Sequence, residues 1–391
     1  MREAVIVSGV RTAIGKAPRG TLRLVRPDDL AALVIREAVQ RAGGLDPGQI
    51  DDVVLGCAIP EGEQGYNMAR IASVRAGLPS SVSAATVNRF CSSGLQAIAM
   101  AAQHIQSGMA EICIAGGAES MSRVYTNVKA APNPALIEQA PAHYMGMGHT
   151  AEQVARRFGI SREDQDAFGL QSHRRAAAAI QEGRFQAEIV PVTFQRYRLE
   201  NGKAVAEQVT FDADEGVRLD TSLEAMAKLR PAFAVDGSVT AGNSSQMSDG
   251  AAAVVLMSAP KAEELGLRPK GIFRGFVTTG CDPEIMGIGP ALAVPRLLQR
   301  VGLRLEDIEL VELNEAFASQ SLYVIHALGL DPQRLNVNGG AIALGHPLGA
   351  TGARQTVTLM HEAARRRARY GIVTMCVGGG MGAAGLFEFV N

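Results

Sequence analysis

The sequence predicts an α/β protein built from a duplicated α/β domain with an inserted loop region. Three observations carry this. Strand-like and helix-like segments alternate at both ends of the chain, which implies sheets covered by helices on both faces. The two ends repeat one layout: Gly44-Leu45 with Ile50 and Val53 matches Gly302-Leu303 with Ile308 and Val311, an ungapped offset of 258 residues (308 less 50). Glycine is abundant at 43 residues and tryptophan is absent, which suits many tight strand–helix turns.

In the first copy, Ala4–Ser8 reads as a buried strand. Asp28 is placed to cap a helix carrying Leu30, Leu33 and Val34 on one face, and Gly43-Gly44 stops it. Val53–Leu55 is a second strand. A small-residue helix from Ser92 to Ser107 ends at Gly108, and Glu111–Ala115 is the next strand, followed by Gly116-Gly117. In the second copy, Val337-Asn338 stands where Val87-Asn88 stood. A glycine-bearing turn, a helix, the strand Ile372–Met375 and Gly378-Gly379-Gly380 follow.

The middle differs. Pro132, Pro134 and Pro141 break the pattern, Ser161-Arg162-Glu163-Asp164 reads as a capping box, and Thr193–Ala213 reads as polar and irregular. Strand returns at Ala251–Met257. The expected division is a first half over 1–120, completed by about 246–268, an inserted loop domain over 121–245, and a second half over 269–391.

With 391 residues and 47% apolar composition, the chain is long enough for a sizeable core. Lys+Arg number 38 against Asp+Glu 39, so nothing suggests a nucleic-acid footprint. The short run Arg365-Arg366-Arg367 reads as a solvated helix face. The five cysteines (57, 91, 113, 281 and 376) show no CxxC pair, so neither a zinc site nor a disulfide framework is expected. Free thiols, no leader-like segment and no membrane-length apolar run suggest a soluble, cytoplasmic protein.

Four positions could carry chemistry. Cys91, in Asn88-Arg89-Phe90-Cys91-Ser92-Ser93-Gly94, sits at a predicted helix start, where free backbone N–H groups favour a thiolate and could hold an oxyanion. The alternative is an inert core cysteine. His346, in Gly345-His346-Pro347-Leu348-Gly349, offers an imidazole base in a rigid turn; the alternative is a solvent-facing turn histidine. Cys376 ends a strand and runs into Gly378-Gly379-Gly380, either a second thiol with exposed N–H donors or a tight turn alone. Asn314, in Glu312-Leu313-Asn314-Glu315-Ala316-Phe317, follows a strand and could hold a water; an Asn satisfying its own turn is the bland case.

Taken together these segments resemble the thiolase family over the whole chain. Asn314-Glu315-Ala316-Phe317, Asn338-Gly339-Gly340-Ala341-Ile342-Ala343-Leu344-Gly345-His346-Pro347 and Cys376-Val377-Gly378-Gly379-Gly380-Met381-Gly382 follow the Cys91 segment in family order. The resemblance implies a five-layered fold and reversible cleavage of a 3-oxoacyl-CoA by CoA through an acyl-Cys91 intermediate. His346 would be the base, Cys376 the acid, and Asn314 and Gly378 oxyanion partners. It implies CoA contacts at Arg218, Phe233, Ala241 and Ser245, with Met147 and Phe317 lining the acyl end. CoA is then a substrate, with no permanently bound cofactor and no metal. A homodimer or homotetramer is implied.

Ala225 departs from the pattern, standing where some biosynthetic members carry a serine near CoA. The Cys91-Ser92-Ser93-Gly94 segment favours the degradative subtype, with acetoacetyl-CoA synthesis as the alternative. A decarboxylating ketosynthase shares the fold but lacks a cysteine before a glycine turn. A non-catalytic thiolase-like lipid carrier would have lost the nucleophile or the base.

Overall fold

The computed structural model describes residues 2–124 and 131–390. Its labelled elements run in chain order. The first half supplies β1 (Ala4–Thr12), α1 (Pro27–Ala42), β2 (Asp52–Gly56), α2 (Met68–Ala76), β3 (Ser83–Val87), α3 (Ser93–Ser107) and β4 (Ile112–Ser120). The intervening stretch holds α4 (Met147–Phe158), α5 (Arg162–Gln181), β5 (Val192–Glu200) and β6 (Lys203–Phe211). The chain then forms β7 (Ser248–Ser258), β8 (Gly271–Gly280), α6 (Gly289–Val301), β9 (Leu310–Leu313), α7 (Ala318–Leu328), α8 (Leu348–Arg366), β10 (Tyr370–Val377) and β11 (Met381–Phe389).

The main sheet has the order β9-β10-β11-β8-β1-β7-β4-β2-β3. Each half repeats one motif. Val53 pairs in parallel with Ile114, and Val311 with Ile372, so both strands of the pair keep the 258-residue offset (311 less 53, 372 less 114). The last strand of each half, β7 or β11, runs antiparallel between its neighbours. The sheets are therefore mixed. The halves join where β1 meets β8 at Val5↔Ile272 and Ile6↔Gly271.

Alternation along the strands produces the layers. Ile112 and Ile114 of β4 face α1 and α2, while Cys113 and Ala115 face α3. In β10, Val373 and Met375 face the α3–α8 layer, and Ile372 faces α6 and α7. The three largest apolar cores, separated by the two halves of this continuous sheet, make five layers. The central helices approach closely through glycine. A Cβ on Gly352 would lie 2.6 Å from Leu95 N, and one on Gly94 would lie 2.8 Å from Ala353 N.

The halves differ at one connection. Between β10 and β11 the chain turns through Gly378-Gly379-Gly380, whereas between β4 and β7 a long insertion intervenes, whose described residues return to the sheet at Ile189–Val190, paired in parallel with β1. Half of the expected capping box is present: Ser161 Oγ accepts from Asp164 N at 3.1 Å and opens α5, while the Asp164 carboxylate accepts from the Ser161 hydroxyl at 2.7 Å. Two local expectations fail. Asp28 does not cap α1: Arg26 is the N-cap, Pro27 occupies the first turn, and Asp28 bonds the Arg26 guanidinium instead. Thr193–Ala213 is not irregular. Nearly all of it is the β5–β6 hairpin, turned by Asn201 and Gly202 in the left-handed region at φ +51° and +74°. Polar residues stand on both of its faces because both are largely solvated, which disguises a strand.

Candidate active site

Cys91 lies in a single 3-10 turn, Phe90–Ser92, that opens α3. The turn is held locally. Asn88 Oδ1 accepts from Phe90 N at 2.8 Å, and Ser93 Oγ accepts from Arg89 N at 2.9 Å while donating to Phe90 O at 2.7 Å. Phe90 takes a left-handed φ of +43°, a conformation a bulky residue keeps only where its surroundings enforce it. Cys91 is buried, and the backbone N–H groups of Gly378 and of Cys91 itself are turned toward its sulfur. They pull the thiol pKa down, yet burial outweighs them and pushes it up to about 11. The helix start alone suggested a thiolate, but desolvation keeps the proton on sulfur.

His346 is also buried. Its Nδ1 lies 2.6 Å from Thr351 Oγ1, and that hydroxyl donates to Pro347 O at 2.9 Å. Nδ1 is therefore the protonated nitrogen. Nε2 keeps its lone pair and meets Asn314 Nδ2 at 3.3 Å. Burial, and then the Arg354 charge, push the imidazolium pKa down to about 3, so the ring is neutral. The solvent-facing alternative is thereby excluded. Gly345 has φ +101°, and a side chain there would collide with Ser248.

Asn314 follows β9 and donates its backbone N–H to Thr374 O at 2.9 Å. Its Oδ1 has no hydrogen-bond partner among the described residues. The adjacent Glu315 is a structural hub, accepting from Ser172 Oγ, Asn336 Nδ2 and Ile342 N. Cys376 lies at the end of β10, fully buried. Burial pushes its thiol well above the ordinary range, and the nearby Cys91 adds to the shift. Gly378 follows it and lies against Met147 and Phe90.

The remaining positions form two adjoining spaces. Arg218, Phe233, Ala241 and Ser245 all line one cleft of ≈380 Å³, together with Lys16 and Met247. Ala225 also lines it, presenting a methyl group where a serine would present a hydroxyl. Met147, Phe233 and Phe317 pack with Cys376 in an apolar cluster. Phe233 borders both spaces. Met247 bridges the cleft to His346 by backbone pairing. Residues 125–130 of the 121–160 loop, expected to shape the acyl end, lie outside the described residues.

Sequence reasoning missed several contributors. His173 sits beneath the cleft and accepts the Arg218 N–H on Nδ1 at 3.1 Å; burial, then Arg218 and Lys16, push its pKa down to about 4. Thr351, one turn beyond His346, was legible only as part of the Gly-rich motif. Glu119 is a carboxylate in an otherwise apolar strand and gave no signal. Among the described residues, no group of three or more His, Cys, Asp or Glu is placed to hold a metal ion. No helix among them is long and apolar enough to cross a membrane.

Comparison with known proteins identifies the family. Residues 4–260 match the model of the thiolase N-terminal domain, and residues 267–389 that of the thiolase C-terminal domain. A 3-ketoacyl-CoA thiolase of Bacillus subtilis is 58% identical over 390 residues, covering 99% of this chain and 100% of that protein. An acetyl-CoA acetyltransferase of Chromobacterium violaceum is 47% identical, covering 98% of each. The crystal structure of the Bacillus anthracis acetyl-CoA acetyltransferase superposes with a TM-score of 0.91 at 44% identity, covering 100% of this chain and 99% of that one. The chain belongs to the thiolase family.

Proposed function

We propose that this protein is a degradative thiolase, cleaving a 3-oxoacyl-CoA with CoA to acetyl-CoA and a shortened acyl-CoA. The observation that carries this is the convergence on Cys91 Sγ of two backbone N–H groups, one from each half of the chain. N–H groups aimed at a nucleophile are placed to hold the oxyanion that forms beside it.

The Cys91 proton passes to His346 Nε2 as the sulfur attacks the C3 carbonyl. The C2–C3 bond breaks, and the acetyl-CoA enolate takes the Cys376 proton. His346 Nε2, now protonated, and a water held by Asn314 stabilise the enolate oxygen. The N–H groups of Cys91 and Gly378 stabilise the tetrahedral oxyanion. A second CoA gives up its thiol proton to the Cys376 thiolate, or to His346 once His346 has passed its own proton to Cys376; it attacks the acyl-Cys91 carbonyl and releases the shortened acyl-CoA, and the Cys91 sulfur takes a proton back from His346. The neutral Cys91–His346 pair fits a proton transfer coupled to attack rather than a standing thiolate.

The CoA chain is assigned to the cleft of Arg218, Phe233, Ala241 and Ser245, with Arg218 and Lys16 available to its phosphates. Met147 and Phe317 are assigned to the acyl end. Residues 121–245 thus serve as the CoA-binding insertion between the two halves. The degradative direction is supported by the name of the Bacillus subtilis relative; acetoacetyl-CoA synthesis stays the second reading because of the acetyltransferase relatives. A cytoplasmic homodimer or homotetramer is our assignment. Support for assembly comes from β3, which pairs with β2 on one side only and leaves an open sheet edge, beside Tyr66 at 96% exposure.

Thiolysis rates with acetoacetyl-CoA beside a longer 3-oxoacyl-CoA test the reading. A higher kcat/KM on the longer substrate is expected. No thiolysis of either would overturn it.

A further inference from the structure

Each half of the chain directs the end of a strand at the first turn of the other half's central helix. The turn after β10 brings Gly378 N–H to Cys91, at the start of α3. Crosswise, the end of β4 brings Glu119 to the start of α8, where Glu119 Oε2 accepts from Gly349 N at 2.8 Å. Glu119 is fully buried. A carboxylate at the first turn of a 19-residue helix is favoured by its free N–H groups and its dipole.

Five donors surround this carboxylate. Oε2 also accepts from Ala58 N at 2.7 Å. Oε1 accepts from Gln64 Nε2 at 2.6 Å, Ile59 N at 3.3 Å and Cys57 Sγ at 3.8 Å. All five of these contacts present a donor, so although burial raises the carboxyl pKa, the ionised form, which only accepts, suits the set. The contacts continue to the nucleophile. Ala58 O accepts from Asn88 Nδ2 at 3.0 Å, and Asn88 Oδ1 holds Phe90 N, beside Cys91. On the other side Gly349 is three residues from His346. A Cβ on Gly349 would lie 2.8 Å from Glu119 Oε2, so glycine is what allows the close approach.

We propose that Glu119 is a positioning residue of the reaction, a buried carboxylate that clamps the His346 turn to the Cys91 turn. Base and nucleophile come from opposite halves of the chain, and this clamp ties their two turns by charge-assisted hydrogen bonds. The proposal rests on the acyl-enzyme reading above.

The test is Glu119→Gln in the full chain, with wild type alongside. An amide would turn N–H groups against N–H donors and open the clamp. With the cleft untouched, KM for CoA should stay within about 2-fold, while kcat falls on the order of 100-fold, the cost of misplacing reacting groups by about 1 Å. The pH at which Cys91 becomes reactive to iodoacetamide should also move, because its partner base has shifted. Wild-type kcat and an unchanged alkylation profile in a folded E119Q protein would overturn the clamp alone. Failure of wild type to form an acetyl-Cys91 adduct from acetyl-CoA would overturn the acyl-enzyme reading and the clamp with it. If E119Q shows no cooperative melt, Gln64→Ala decides, since it keeps the carboxylate and removes one donor. A kcat loss of about 5-fold at unchanged KM, the worth of about 1 kcal/mol, supports the clamp, and full activity overturns it.

Discussion

His346 Nδ1 lies 2.6 Å from Thr351 Oγ1, and the Thr351 proton is committed to Pro347 O. That pair fixes which imidazole nitrogen carries the proton and leaves Nε2 open toward Asn314. Thr351→Val keeps the shape and removes the acceptor, leaving a buried N–H unpaired. Loss of about 1.5 kcal/mol of orientation should lower kcat about 10-fold with little change in KM, read by steady-state thiolysis.

The two active-site cysteines should separate by half-reaction. Incubation with acetyl-CoA followed by intact-protein mass spectrometry should give an acetyl adduct in wild type and none in Cys91→Ala. Cys376→Ser should still acylate. Its condensation rate should fall by at least about 100-fold, because the proton donor to the enolate is gone. An adduct persisting in Cys91→Ala would remove Cys91 from its assigned role.

The three glycines after Cys376 are not equivalent. Gly378 is outside the left-handed region and a Cβ there would sit 3.5 Å from Met147 Sδ, an ordinary contact. Gly378→Ala keeps the N–H and should retain activity within about 3-fold, since exposed or roomy sites change stability little. Gly380 has φ +86°, and a Cβ there would collide with Cys281 O. Gly380→Ala should lower the melting temperature by several degrees, about 1–3 kcal/mol, and thermal melts of the pair check the contrast.

Arg218 is exposed in the cleft wall, so its contribution to CoA should be modest and screened by salt. Arg218→Ala should raise KM for CoA about 3- to 5-fold and leave kcat nearly unchanged. The KM difference between variant and wild type should shrink as ionic strength rises.

Acid should destabilise the fold through its buried histidines. His346 and His173 are held at about 3 and about 4, below the value of about 6.5 expected in the unfolded chain. Below about pH 6.5 the unfolded state takes up protons that the folded state refuses. Stability is thus full above that pH and is lost as pH falls toward the folded values. Thermal melts between pH 8 and pH 5 should show the midpoint falling below about 6.5, with a shallower fall in His173→Gln.

Much of this was legible in one dimension. The 258-residue offset survives as strand pairing, because a repeated strand–helix–strand unit keeps its spacing when its core is repeated. Cys91, His346, Asn314 and Cys376 stood out because each stands where a regular element begins or ends, three of them in glycine-bearing segments. The β5–β6 hairpin did not, since strands solvated on both faces lack the apolar alternation that marks a half-buried sheet. Asn201-Gly202 was the available signal, the dipeptide that suits a turn with two positive φ values. Glu119 was illegible, because nothing along Ile112–Ser120 tells which donors will surround its carboxylate.

The sequence by itself determined the duplicated α/β architecture and the family, and it singled out the side chains proposed to react. These depend on local pattern and residue chemistry, which the chain carries in order. The tertiary structure decided their protonation and their partnerships. A helix start argued for a Cys91 thiolate, and burial reversed that. A neutral-range imidazole was expected at His346, and desolvation holds it far below. The cause is the same in both cases: the cost of a charge depends on what three-dimensional packing removes from water, and residues from opposite halves of the chain do that removing.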